Sequence, residues 1–450
     1  MNVRSAIVPL IILGSIVAVY FNSFWGSFQF DDYNVIVDNL KVHSLAAWFS
    51  DLGYGIRPVL KLTYTLNWVS GGGLFGFHLF NITVHALNSL LVFFLVRKFT
   101  GEIKSAFLAG MLFGLNPVQT EAVTYISGRS VSLMTLFYLS AVLAYIHGVS
   151  SHRRLWIYLI SPAFFIIAVA AKEVALTLPL ALLLWEKRFG SGEKFSAVMK
   201  RQAVHWVLLF LILIAFMLHR NYGSLLLYSL EQRSLYENSL SQINGVSYLL
   251  SRLVLVGGLN VDPDLPVLRS WSFLLVAKFT FLAGLLLFGV LRFRDKYFIG
   301  FGLIWFFLHI LPTNSIIPRI DVANERQLYL ANFGLFFALA VVFEKISVSR
   351  IAVQAAMISL LIICGIFTAI RNNDYRTEIS LWKDTAKKSP HKARVFNNLG
   401  VAYELKGCAE EAAEAYSKAL ELAPGFAVAQ KNLTGLVFRQ RSGADVNCSD

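Results

Sequence analysis

The stretch FQFDDYNVIVDN, residues Phe28 to Asn39, places Asp31 and Asp32 side by side between aromatic and aliphatic flanks. Adjacent carboxylates are suited to general acid–base work, in which one acid takes a proton from a reacting group. In an extended segment, neighbouring side chains point to opposite sides. One aspartate would then face a site while the other binds backbone amides or a base. The bland alternative is an interfacial loop carrying two solvated acids. Other ionisable residues stand near or inside apolar runs: Arg57, Glu121, Arg129, the pair Lys172–Glu173 and the pair Glu325–Arg326. Such residues are functional candidates by default in a membrane-embedded chain. Glu121 lies eight residues before Arg129, a little over two helical turns, which predicts roughly one face; a salt bridge tying two helices is the alternative. His78 and His85, with Asn81 and Asn88, share a helix face; a lipid-phosphate contact and hydrogen bonds between helices are the two readings, and the second is preferred.

The elements that must position these residues are mostly apolar helices. Of 450 residues, 56% are hydrophobic and only 15% charged. A soluble globular chain has about a quarter charged residues. Apolar runs long enough to cross a bilayer recur along the chain, so the sequence is that of a polytopic membrane protein. Apolar segments lie near residues 5–24, 78–97, 105–120, 130–149, 155–171, 174–188, 203–219, 272–291, 298–312, 328–344 and 351–370, about eleven spans. The net charge of +13 resides largely in short connectors, such as Arg97–Lys98, Arg153–Arg154, Lys187–Arg188 and Arg292, Arg294 and Lys296. That is the positive-inside pattern of a membrane protein, and it excludes nucleic acid as the reason for the charge. With the N-terminus inside and an odd number of spans, the C-terminus falls outside. The first run has no small-residue cleavage site after it and reads as an uncleaved span. GVSYLLSRLVLVGGL, residues Gly245 to Leu259, is short and carries Arg252, so it reads as a re-entrant or interfacial helix. Two long outer loops, near residues 25–76 and 220–270, are expected to roof a cavity.

After Arg371 the composition turns polar. Phe396, Leu399, Gly400, Tyr403, Ala412, Tyr416, Ala419 and Pro424 match one tetratricopeptide repeat. The predicted organisation is a transmembrane domain over residues 1–371 and a repeat region over 372–441. That region holds a half repeat, a full repeat near 393–426 and a capping helix, and a flexible tail follows over 442–450. The three cysteines, Cys364, Cys408 and Cys448, include no CxxC; Cys408 and Cys448 either pair or stay free.

The ordered set of motifs resembles the transmembrane and tetratricopeptide-repeat O-mannosyltransferase family, membrane glycosyltransferases of the GT-C type. The set comprises FQFDDYNVIVDN, IRPVLKLTYTLN, FHLFNITVHALNSLL, LNPVQTEAVTYISGRSVSLMTLFYL, AAKEVALT, LVGGLNVDPDLP and LPTNSIIPRIDVANERQLYLANFG. It departs from the family at Asn116, where His usually precedes the proline, in its loose NVDPDLP match and in its short repeat array. The resemblance implies an all-α helical bundle. It implies inverting transfer of a sugar, mannose in this family, from a polyprenyl phosphate to a Ser or Thr hydroxyl of a protein on the outer or lumenal face. The first acid of the pair, Asp31, is by the family pattern the general base, with Asp32 beside it. Arg129, Glu121, Lys172, Glu173, Glu325, Arg326 and Arg57 are the candidate donor-binding residues. A lipid monophosphate carries little charge, so basic side chains can stand in for a metal, and no cofactor or metal is expected. The expected partners are the lipid-linked sugar, membrane lipid and a protein acceptor docked by the repeat region, which is expected to serve positioning and not the chemistry. The alternatives are a lipid or polysaccharide acceptor, or a membrane-anchored repeat scaffold without catalysis. A short chain with few repeats points to a bacterial inner membrane with a periplasmic C-terminus; in a eukaryote the C-terminus would be in the lumen of the endoplasmic reticulum.

Overall fold

The computed structural model describes residues 3–190, 192–345 and 350–441. Among these residues it contains helices and no strand. The first helix, α1, covers Val3–Tyr20. The loop after it holds two short helices, α2 (Leu45–Asp51) and α3 (Pro58–Val69). Then follow α4 (Gly73–Thr100), α5 (Ile103–Leu115), the single turn α6 (Thr120–Val123), α7 (Arg129–Ser150), α8 (Ser161–Ala171) and α9 (Leu178–Phe189). The helices α10 (Phe195–Arg201), α11 (Ala203–Leu218), α12 (Arg220–Gln232), α13 (Leu235–Arg252), α14 (Phe273–Leu291), α15 (Ile299–Ile310), α16 (Leu328–Lys345) and α17 (Arg350–Asp374) complete the bundle. The polar C-terminal part is α18 (Glu378–Lys388), α19 (Ala393–Leu405), α20 (Ala409–Leu422) and α21 (Ala427–Arg441).

All eleven expected apolar segments are helical over much of their length, but among the described residues six helices are long and apolar enough to cross a membrane. A seventh arises if α10 and α11, bent by 63° at their junction, form one span. The shortfall has a local cause. Asn116–Pro117 stops α5 after 13 residues and Lys172, in extended conformation, stops α8, since proline and its preceding residue leave the helical ladder. The segment from Gly245 is the second half of α13, an amphipathic helix whose buried face carries Asn238, Ser241 and Gln242, and it does not meet the length and hydropathy of a span. The two long loops fold over one end of the bundle. Asn221 donates to the Tyr54 carbonyl at 2.6 Å and Tyr222 donates to Glu173 at 3.2 Å. The four polar residues on α4 tie helices together. His78 meets the Gly26 carbonyl at 3.0 Å, His85 meets Tyr329 at 2.7 Å, Asn81 donates to the Val123 carbonyl at 3.0 Å and Asn88 to the Ser132 carbonyl at 2.8 Å.

The repeat region has the expected order: α18 as the last helix of a half repeat, α19 and α20 as the full repeat, α21 as cap. Trp382 of α18 is 1% exposed and packs with Val395, Leu399 and Ala415. Cys364 is a free buried thiol and Cys408 is disulfide-bonded. Cys448 and the expected tail over 442–450 lie outside the described residues.

Helices in a bilayer approach closely where small residues face one another. Gly302 of α15 and Gly334 of α16 form such a contact, and a methyl group on Gly302 would run into the Gly334 carbonyl. A glycine-to-alanine change in a helix normally gains about 1 kcal/mol, while overpacking costs about 1–3 kcal/mol. Gly302→Ala is therefore expected to lower Tm in detergent. Gly14→Ala, with nothing within 4 Å of the new methyl, is expected to leave Tm unchanged or raise it. Equal Tm changes for the two variants would count against the close α15–α16 contact.

Candidate active site

The two aspartates sit in a tight helical turn and not in an extended strand. Asp32 has φ −58° and ψ −34°, and the turn continues through Tyr33–Val37. Consecutive residues on a helix point about 100° apart, so the two carboxylates still diverge. Asp32 is fully buried. Its Oδ1 accepts the Ser127 N–H at 2.8 Å and its Oδ2 accepts the Gln29 N–H at 3.0 Å. Burial pushes its carboxyl up to about 7 against the lowering by these two donors. Asp31 lines a cavity of about 340 Å³ at the end of the bundle, and its N–H donates to the Tyr125 hydroxyl at 2.9 Å.

The cavity collects residues from six separate parts of the chain. Phe30 and Asp31 come from the first loop, Glu121 and Tyr125 from the turn before α7, and Tyr228 and Gln232 from α12. Val261, Asp262, Arg319, Asp321 and Arg326 come from the later loops, and Trp382 and Arg394 from the repeat region. Arg326 is fixed by a local capping box, in which the Asn324 side chain accepts the Arg326 N–H at 3.2 Å. Its N–H also donates to Glu121 Oε2 at 3.0 Å, its Nε lies 3.6 Å from Glu121 Oε1, and its guanidinium stands 5.9 Å from the centre of the Tyr125 ring. Burial raises the Glu121 carboxyl, with Arg326 opposing.

A second tier of charge lies close by. Arg57, at φ 54° just before α3, makes a two-pronged ion pair with Glu173, at 2.9 and 2.8 Å. Burial alone would raise the Glu173 carboxyl, but Arg57 outweighs it and holds the group below its ordinary value. Lys172 is 8% exposed, and no hydrogen bond or ion pair to its ammonium is present among the described residues. Burial first, then repulsion by Arg326, Arg57 and Arg319, pushes that ammonium well below its ordinary range. Burial and Arg326 lower the Arg319 guanidinium in the same way.

Asp32, Arg57, Arg129, Lys172, Glu173 and Glu325 do not line the cavity. Arg129 is fully buried beneath it, donating to Asn81 at 2.6 Å, to Thr63 at 3.3 Å and to the Phe77 carbonyl at 3.1 Å. Its guanidinium also faces the rings of Tyr64, Phe77 and Phe80. The shared helix face expected for Glu121 and Arg129 does not form, because the chain leaves the helix between α6 and α7; Glu121 pairs with Arg326 instead. Glu325 is buried and accepts the Asn260 N–H at 2.5 Å, which fixes the loop bearing Asp262. The sequence reading missed Arg319, Asp321, Asp262, Trp382 and Arg394 as site residues. Asp262, Arg319 and Asp321 lay within quoted motifs, whereas Trp382 and Arg394 were hidden in the repeat.

Residues 393–426 match the tetratricopeptide repeat family model. Along 92% of the chain, 27% of residues are identical to Protein O-mannosyl-transferase TMTC3 of Homo sapiens, of which 51% is covered. Along 93% of the chain, 25% are identical to Protein O-mannosyl-transferase F38B6.6 of Caenorhabditis elegans, of which 63% is covered. The chain is similar over most of its length to the transmembrane and tetratricopeptide-repeat family. A shorter match, 31% identical over 199 residues, joins it to Protein O-mannosyl-transferase Tmtc2 of Drosophila melanogaster, with 39% of this chain and 21% of that protein covered. The chain thus spans about half to two-thirds of the length of the first two family members it matches.

Burial of Asp32 gives a pH signature. Its folded carboxyl titrates near 7, against about 4 for a free aspartate. A raised carboxyl favours the protonated fold, so its contribution to stability is complete below about pH 4 and lost as pH rises through about 7. Asp32→Asn removes this titration. The Tm of wild type relative to Asp32→Asn is expected to fall between about pH 4 and 7. A difference independent of pH would show that Asp32 titrates alike in the folded and unfolded chains.

Proposed function

We propose that the protein is an integral-membrane glycosyltransferase that moves a sugar from a polyprenyl phosphate to a Ser or Thr hydroxyl of a protein, with inversion. Mannose is the sugar of choice because the similar proteins are named O-mannosyl-transferases. One observation carries the reading. Asp31 shares a cavity at the end of apolar helices with Arg319 and Arg326, and Lys172 without an ion-pair partner stands near these arginines. A hydroxyl from the aqueous side and a phosphate on a lipid can meet at such a place.

In this mechanism the acceptor oxygen attacks the anomeric carbon while Asp31 takes its proton. The bond from that carbon to the phosphate oxygen breaks, and the electron pair leaves with the phosphate. Arg326 and Arg319, with Lys172 and Arg57 behind them, stabilise the negative charge that develops. A single displacement inverts the anomeric centre. No step calls on a metal or cofactor. In this reading the basic connectors face the cytoplasm and the cavity faces the periplasm or lumen, as the positive-inside pattern supports. An alkaline phosphatase fused to the C-terminus is expected to be active, and activity of a cytoplasmic reporter there would reverse the orientation.

The decisive experiment uses purified protein in lipid with dolichyl- or undecaprenyl-phosphate mannose and a library of Ser- and Thr-containing peptides. Transfer from the lipid donor is expected. Asp31→Asn should lower kcat by ~10²–10⁴ with little change in donor KM, as loss of a general base does. Arg319→Gln and Lys172→Met should chiefly raise donor KM. Absence of transfer to any peptide, with transfer to a lipid or glycan instead, would move the acceptor class. Near-native transfer by Asp31→Asn would remove the assigned base.

A further inference from the structure

The loop carrying Asp31 is held from outside the membrane helices. Phe30, its immediate predecessor, has φ 44°, a left-handed conformation that bulky side chains rarely adopt. Such a residue persists only where its surroundings over-determine it. Those surroundings are the segment Tyr375–Trp382, which leads into and forms the first turns of α18. The Ser27 N–H donates to the Arg376 carbonyl at 3.0 Å, and the Gln29 side-chain amide donates to the Tyr375 carbonyl. The Phe30 N–H donates to Glu378 Oε1 at 3.2 Å. The Phe30 ring meets Trp382 edge to face, with centroids 5.3 Å apart. Glu378 and Trp382 are both buried.

The same helix is anchored to the membrane part independently. Arg371 at the end of α17 pairs with Asp384 at 2.7 Å. From the adjoining helix α19, Arg394 grips Asp262 at 2.9 and 2.6 Å and also reaches Asp321. A shift of the repeat region would therefore move the backbone of Phe30 and the loop bearing Asp321 together.

We propose that Glu378 and Trp382 are positioning residues: they fix the backbone at Phe30 and so aim the Asp31 carboxylate, which makes the repeat region a working wall of the active site. This adds a role at the catalytic base to the acceptor positioning expected of the repeats. It rests on the reading of Asp31 as the base. Repeat docking then sets catalytic geometry, and an acceptor bound to the repeats acts on the base through α18.

A double-mutant cycle in the full-length protein in lipid tests this, using dolichyl-phosphate mannose and a Ser/Thr peptide as probes. Glu378→Ala should lower kcat roughly ten- to a hundredfold, as a misplacement of about 1 Å does, with donor KM moving less than about twofold. In the Asp31→Asn background the same change should cost nothing further, because a residue that acts through the base is silent without it. Glu378→Gln, which keeps an oxygen to accept the Phe30 N–H, should recover most of the rate. Amide hydrogen exchange should show faster exchange at residues 27–33 in Glu378→Ala, and unchanged protection in α4 and α7. Trp382→Phe gives the same readout should Glu378→Ala fold poorly. Equal losses in both backgrounds, a pure KM effect or undisturbed exchange at residues 27–33 would overturn the proposal. Near-native transfer by Asp31→Asn alone would instead overturn the base assignment, and the exchange result would still decide whether α18 holds the loop.

Discussion

A charge in a low-dielectric region must be paired or it becomes very costly, and at the cavity end of the bundle this constraint orders the rest of the structure. Glu121 holds Arg326, Glu173 holds Arg57, and Asp262 and Asp321 hold Arg394. Each pair joins segments far apart in sequence. The first joins the turn before α7 to the start of α16, the second the first loop to the end of α8, and the third two loops to the repeat region. These pairs draw distant stretches of chain together around the cavity.

The pairing is incomplete. Lys172 is buried and Arg319 lines the cavity, and neither has an ion-pair partner among the described residues. Their ordinary charges are opposed by burial and by the neighbouring arginines Arg326 and Arg57. Cations without an ion-pair partner are suited to an anion, the part given to the donor phosphate in the proposed function. Asp31, the proposed base, lines the same cavity. A carboxylate and cations without ion-pair partners gathered at one cavity are the features on which the proposed transfer rests.

The repeat region enters this arrangement at two levels. Its interior packs as a tetratricopeptide unit should, with Tyr416 against Gly400 and Trp382 beneath Val395 and Leu399. Its surface toward the bundle carries Glu378, Trp382 and Arg394, which touch the Asp31 loop and the Asp262 and Asp321 loops. One side chain, Trp382, does both, which is why its position in the repeat pattern concealed its place at the cavity. A helical-repeat unit can form a binding wall without losing its repeat character, because its consensus constrains the packing between its own helices and leaves the outer faces free.

Much of this protein was legible in the chain. The apolar runs, the composition change after Arg371 and the eight repeat positions fixed its class, because helix period and burial in lipid or in a repeat are local constraints that each segment meets by itself. The division between Asp31 and Asp32 also followed from adjacency, although the turn is helical and not extended. Span lengths were less legible, since Asn116–Pro117 and Lys172 end helices inside apolar runs. The site was legible only in part. Arg129 and Arg326 look alike as basic residues beside apolar runs, yet one is enclosed by Asn81, Thr63 and three aromatic rings while the other faces the cavity. Which of them meets a ligand depends on whether the chain stays helical between Glu121 and Arg129, and on where the loop through Arg319 returns. Both depend on contacts between residues hundreds of positions apart, such as Phe30 with Glu378. Sequence spacing carries no record of such contacts, so only the tertiary structure could decide them.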